Sequence, residues 1–152
     1  MLAVVKHRHG EGSVTDLHLL DDGYPSRPPV VMGHEVAGVV IELGEDVDAD
    51  WLGARVAIET QHQDCHCEHC RSGRRNLCDN RESMGSWVDG GFAERVAAPA
   101  ALLHRVPDDV PLTHAGLGEP LACAAHLLLD PALVSAGDPV LVTRPRPVGL
   151  LC

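Results

Sequence analysis

A mainly β domain with some α, ending in a helical segment, is the fold class this sequence predicts. Two observations carry it. Up to about residue 112 the apolar runs are short, cut by Gly and Pro, and show little helical periodicity. At Thr113 the texture changes: Thr113–Leu129 has no β-branched residue after its first position and is helical in composition. Many short strands separated by turn residues argue for a β-barrel or a sandwich.

The elements follow in chain order. Leu2–Val5 reads as a strand. Gly23-Tyr-Pro25 and Arg27-Pro-Pro29 are turn punctuation leading into Val30-Val-Met32. Val36–Leu43 is a strand whose Gly38 marks a bulge or a close backbone approach. Arg55–Glu59 and Phe92–Ala97 are two more strands, the second entered through Gly90-Gly91. A polar loop from Gln61 to about Asn80 separates them. In the helical segment Thr113 is the expected N-cap, and Pro120 is expected to kink one helix or divide it into two. Ala136-Gly-Asp-Pro139 is a turn, and Val140–Thr143 is expected to be a short buried strand.

Composition narrows the function. With 152 residues the chain is one domain, or one domain with a fragment of a second. Apolar residues make up 45%, but Tyr24, Trp51, Trp87 and Phe92 are the only aromatics, so the core must be mainly aliphatic. Lys plus Arg is 12 against 22 Asp plus Glu, a net charge of −10 that repels phosphate backbones and anionic lipid. Nucleic acid and membrane surfaces are therefore excluded as expected partners. The most apolar stretch, Leu117–Leu129, is broken by Glu119 and His126 and is too short to span a bilayer. The N-terminus lacks the hydrophobic region of a signal peptide, and a soluble cytoplasmic protein is expected.

The strongest chemical signal is the cluster from Asp64 to Cys78. Cys67, Cys70 and Cys78 are spaced C-x2-C-x7-C, with Cys65 and Asp64 just upstream as candidates for a fourth ligand. Thiolates this close in sequence converge on one tetrahedral ion, and Zn²⁺ is the usual occupant of sulfur-rich closed sites. A disulfide pair is the alternative; the missing secretory segment argues against it.

Further motifs, in order, point to a family. Gly33-His-Glu-Val-Ala-Gly38, with Val39 and Gly44 after it, resembles the Gly-His-Glu signature of the zinc-dependent medium-chain dehydrogenases. Thr15-Asp-Leu-His18 resembles the segment upstream of that signature, and Gly90-Gly-Phe-Ala-Glu94 the strand after the metal loop. Glu119-Pro-Leu-Ala122 with His126 is similar to the Glu-Pro-Leu segment of the sorbitol and threonine dehydrogenase branch. The resemblance implies a GroES-like, partly open β-barrel as catalytic domain, followed in the family by a Rossmann domain that binds NAD(P). It implies small alcohol or polyol substrates, whose oxygen a catalytic zinc polarises while hydride passes to the nicotinamide. It also implies residue roles: His34 as zinc ligand, Glu35 and Glu119 as carboxylate donors, Thr15 as proton-relay hydroxyl, and Asp16 as the carboxylate that orients the histidine.

Departures from the family pattern carry their own expectations. Ser13 stands where the family has its first catalytic zinc ligand, a cysteine, and Val14 where a glycine is usual. A serine hydroxyl ionises far less readily than a thiol, so a weakened catalytic site is expected. In the cysteine loop the family register puts the first structural ligand at Asp64, whereas ligand softness favours Cys65. His66 and His69 are expected to be exposed loop residues. Twelve residues precede Ser13, fewer than in the family, and Val140–Gly149 resembles the first Rossmann strand and its glycine loop. There Arg144 and Arg146 occupy the glycine positions of the dinucleotide fingerprint and only Gly149 remains. The expected organisation is a catalytic domain over residues 1–130, shortened at its N-terminus, and a remnant of an incomplete Rossmann domain over 131–152. These residues alone are then expected neither to bind NAD(P) nor to oxidise alcohols. The alternative is a non-catalytic zinc-binding interaction module, or the product of a decaying gene; a homo-oligomer is compatible with either.

Overall fold

The structure, a computed structural model, describes residues 2–7, 14–21, 23–63, 66–129, 134–135, 137–143 and 146–152. Its centre is a five-stranded antiparallel sheet with β1 (Leu2–His7), β2 (Ala37–Leu43), β3 (Arg55–Ile58), β6 (Arg95–Pro99) and β7 (Leu103–Arg105). The order β6-β1-β2-β3-β7 leaves β6 and β7 as edges, so the barrel is not closed. Burial alternates along β3 and β6, as a sheet with one packed face requires. That face is aliphatic: Val5, Val40, Val56, Ile58, Val96 and Leu103 pack together with Met84, and Trp51 is only partly buried beside them. The expectation of an aliphatic core holds.

A bulge in the β1–β2 pair falls at Ile41, where Val4 faces Glu42 and Val5 faces Val40. It was expected near Gly38, which instead pairs regularly with His7 and Val56. The strand expected at Phe92–Ala97 begins only at Arg95, because residues 92–94 bend and the Phe92 N–H is engaged elsewhere. Phe92 donates its N–H to Met32 O, Gly91 to Gly33 O and Gly90 to Val31 O, at 2.7–2.8 Å. This zip fastens the segment before β2 to the glycine turn. A Cβ on Gly90 would lie 2.1 Å from Gly33 O, so no other residue fits there without moving the backbone. Gly33 itself has φ +94°, a conformation natural to glycine.

Helices are short and peripheral. One that sequence reasoning missed, α1 (Val14–Leu20), carries Thr15 and Asp16. The two-residue strands β4 (Gln61–His62) and β5 (Glu82–Ser83) pair across the base of the cysteine loop, which contains α2 (Glu68–Arg71). Beyond β7, Arg55 donates to Pro107 O at 2.9 Å and also to Val110 O, holding the approach to α3 (Leu112–Ala115) against the sheet. The helical segment is divided in two, but not by Pro120. The break lies at Gly116–Leu117, and Pro120 occupies the first turn of α4 (Gly118–Leu129), where its missing N–H costs nothing. The N-cap of α3 is Pro111 rather than Thr113.

The turn expected at 136–139 is present in its described part: Gly137 has φ +95° and Asp138 donates its N–H to Ser135 O at 3.0 Å. The expected buried strand Val140–Thr143 is not. These residues are irregular and exposed, with Leu141 at 87%, because among the described residues no strand lies beside them to take up their hydrogen bonds. A one-turn helix, α5 (Pro147–Leu151), follows Arg146 and packs on α4. Among the described residues no helix is long and apolar enough to cross a membrane.

Candidate functional site

Among the described residues, two groups of side chains able to hold a metal ion form in separate parts of the fold. In the cysteine loop Cys67 sits at the N-cap of α2, Cys70 within that helix, and Cys78 at the end of a 3-10 turn over Arg75–Leu77. Their three sulfurs lie within 4.8 Å of one another, and Cys78 is fully buried. All five described cysteines are free thiols. Asp64 and Cys65 lie outside the described residues, so the fourth position stays as the sequence left it. His66 is exposed as expected; His69, also expected to be an exposed loop residue, is instead half-buried in α2, with Nδ1 buried and unpartnered among the described residues and Nε2 4.0 Å from Asp79.

The sulfurs share their protons unevenly. Hydrogen bonds from the backbone of Asp79 and of Cys70 pull the Cys67 thiol below its ordinary range, against the effect of burial. Burial, together with its hydrogen bonds to Cys78 and Cys67 and their charge, pushes Cys70 up to about 12. One thiolate therefore opposes the next until a cation offsets the charge. A trio of sulfurs with this spacing suits zinc.

The second group is assembled from distant segments. The zip between residues 31–33 and 90–92 places His34 over α1, and there the buried Asp16 does two things. Its Oδ1 accepts the Gly33 N–H at 3.3 Å and lies 3.6 Å from His34 Nδ1. A carboxylate beside one ring nitrogen is the arrangement that orients a ligating imidazole in metal sites. The first turn of α4 brings in Glu119, and one donor atom each from His34, Glu35 and Glu119 falls within 4.8 Å of the others. An imidazole and two carboxylates also form a donor set that zinc accepts. Partial burial raises the Glu35 carboxyl above its usual range; His34 opposes this, while Glu119 and Asp16 add to it. These groups cluster around a cleft of about 150 Å³ that Thr15, His34 and Glu119 line. Ser13, the position expected to weaken this centre, lies outside the described residues.

The structure thus gathers Thr15, Asp16, His34, Glu35 and Glu119 in one region, and Cys67, Cys70 and Cys78 in another. Sequence reasoning missed the remaining polar walls of the cleft: Tyr24, Thr60, Gln61, Ser83 and Ser86. Gln61 and Ser83 are cross-strand partners in β4 and β5, with Ser83 Oγ 2.9 Å from Gln61 Oε1. Two-residue strands leave no periodicity to read. Also missed was Cys123, whose thiol donates to Glu119 Oε1 at 3.7 Å. Its place four residues after Glu119 in a helical stretch was the available signal. Partial burial, then Glu119 and Glu35, raises the Cys123 thiol and keeps it in the donating form.

Comparison with known proteins now decides the family. The alcohol dehydrogenase GroES-like domain matches residues 3–108. The chain belongs to that family. A sorbitol dehydrogenase from Halalkalibacterium halodurans is 41% identical over 90% of this chain and 40% of its own length. An L-threonine 3-dehydrogenase from Deinococcus radiodurans is 37% identical over 97% of this chain and 43% of its own. Among solved structures, a Sinorhizobium meliloti 1021 protein assigned as a zinc-binding dehydrogenase and bound to NADP superposes with a TM-score of 0.87. It is 36% identical, with 99% of this chain and 44% of that one covered. The chain thus spans about two fifths of the length of the relatives it matches. The open five-stranded sheet is that of the GroES-like domain of zinc-dependent dehydrogenases.

Proposed function

We propose that this GroES-like chain is the zinc- and substrate-binding part of a zinc-dependent alcohol or polyol dehydrogenase, with residues 1–130 as catalytic domain and 131–152 as the start of a nucleotide-binding one. The observation that carries this is the convergence of His34, Glu35 and Glu119 on one point beside a cleft that Thr15 also lines. In this reading the cysteine loop holds a structural zinc, and His34, Glu35 and Glu119 hold a catalytic one. A zinc ion there supplies Lewis acidity to an alcohol oxygen. NAD(P), held by a nucleotide-binding domain, supplies the hydride acceptor.

The chain's own residues do the rest. Asp16 holds the His34 ring by Nδ1 and so fixes the direction of Nε2. Thr15 Oγ1 accepts the proton leaving the substrate hydroxyl and passes it outward. Gln61, with its carbonyl oxygen engaged by Ser83, keeps its amide N–H groups for a substrate hydroxyl. Residues 1–152 by themselves turn over no alcohol, because positioning a nicotinamide needs a complete βαβ unit and 140–143 is not a paired strand. The expected setting is the cytoplasm, with small hydroxylated substrates as partners.

The test is cobalt substitution of the 152-residue chain. One tightly held ion and a second held more weakly, as Ser13 in place of a cysteine requires, with visible absorption that shifts on adding sorbitol or threonine, is the expected result. One ion per chain and a spectrum indifferent to every polyol points instead to a non-catalytic zinc-binding module. Calorimetric titration with NAD and NADP completes it; micromolar binding contradicts the assignment of the cofactor site to a further domain.

A further inference from the structure

We propose that Cys123 is a positioning residue for Glu119, fixing the carboxylate that completes the His34–Glu35–Glu119 metal centre. The inference rests on reading that group as a metal centre. Glu119 and Cys123 are four residues apart on α4, one turn, so both project from the same face. The Cys123 thiol lies 3.7 Å from Glu119 Oε1. Among the described residues no other group donates to the Glu119 carboxylate.

A carboxylate on a flexible side chain has a broad terminal torsion and two equivalent oxygens. A donor that occupies one oxygen sets the plane of the group and leaves the other oxygen for the ion. His34 receives the same service from Asp16. Each of these two residues, distant in the chain but close in the fold, thus has one neighbour placed to orient it. Pro120 and Ala124 on α4 are buried, whereas Cys123 is on its exposed side. Cys123 is also exposed, so reagents that cap thiols reach it and remove the donor.

The experiment uses the full chain with zinc retained in the cysteine loop, titrated with Co²⁺ and followed by equilibrium dialysis and visible absorption. Cys123→Ala weakens the second ion by about tenfold, the lower end of what loss of an outer partner costs. Cys123→Ser keeps a donor and stays within about threefold of the native chain. Capping with methyl methanethiosulfonate weakens the native chain as the alanine does, is reversed by dithiothreitol, and leaves Cys123→Ala unchanged. That last comparison separates Cys123 from the other thiols and gives a reading even where the variant folds poorly. A Cys123→Ala chain with native affinity overturns the inference while leaving the metal centre standing. A serine variant as weak as the alanine overturns the donor role. A native chain that takes no second ion, or takes one that survives His34→Ala, overturns the metal centre and this inference with it.

Discussion

The cysteine loop and the His34 cleft both gather side chains able to hold an ion, by opposite routes. The three sulfurs of the loop come from one stretch, Cys67 to Cys78, and a four-residue helix with a 3-10 turn brings them together. The cleft draws Thr15 and Asp16 from α1, His34 and Glu35 from the segment before β2, and Glu119 from α4. A local site needs only a few turns of backbone. A dispersed one needs the whole sheet, the 31–33 to 90–92 zip and the docking of α4. The loop should therefore depend on its ion, and the cleft on the fold.

The largest expected effect is on the loop. Cys78→Ala removes a fully buried ligand; stripping or losing that zinc costs the chain about 4 kcal/mol, the linkage term for an ion at a thousand times its dissociation constant. Urea denaturation with and without chelator measures it, and equal midpoints would mean that the loop stands without metal.

Next comes the fold that supports the cleft. Gly90→Ala forces a Cβ to 2.1 Å from Gly33 O and is expected to destabilise the domain by about 3 kcal/mol. It should loosen the second ion while the zinc content of the loop stays at one. Metal analysis that shows both ions lost together would erase the contrast between the two sites.

Asp16→Asn is a smaller change. It leaves the Gly33 N–H an acceptor but removes the charge facing His34 Nδ1, and about tenfold weaker cobalt binding in the cleft is expected. Isothermal titration of both proteins checks this. An unchanged affinity would show that His34 needs no help from Asp16.

The smallest effect is a pH dependence at His62 in β4, between the two sites. Burial holds its pKa below 6.5 against the pull of Glu82, and its buried Nε2 has no hydrogen-bond partner among the described residues. A lowered folded-state value means that the unfolded chain takes up the proton first. Stability is then full above about pH 6.5 and falls as pH drops through the folded value. Thermal melts of His62→Gln should show a flatter slope between pH 7 and 5; an identical slope would assign the effect elsewhere.

Much of this was legible in the chain. The sulfur spacing, the turn residues and the short strands are local signals, and they led to the loop and to most of the sheet, whereas His34 came with the family motifs. The family motifs added Thr15, Asp16, Glu35 and Glu119. The missed features had weak local signals. Helix α1 is seven residues long with Leu17 and Leu20 exposed, too short and too mixed for a helical stripe to show. Val140–Thr143 has the composition of a strand, but a strand exists only with a neighbour, and among the described residues there is none.

By itself the sequence determined which residues are able to ligate an ion and where backbone turns must fall, since thiol spacing and glycine conformations are properties of a few adjacent residues. Only the tertiary structure decided that Gly90 closes on Gly33, and that Glu119 arrives beside His34 and Glu35. Those contacts depend on how far the sheet twists and where α4 docks, distances summed over the whole fold that no local pattern encodes.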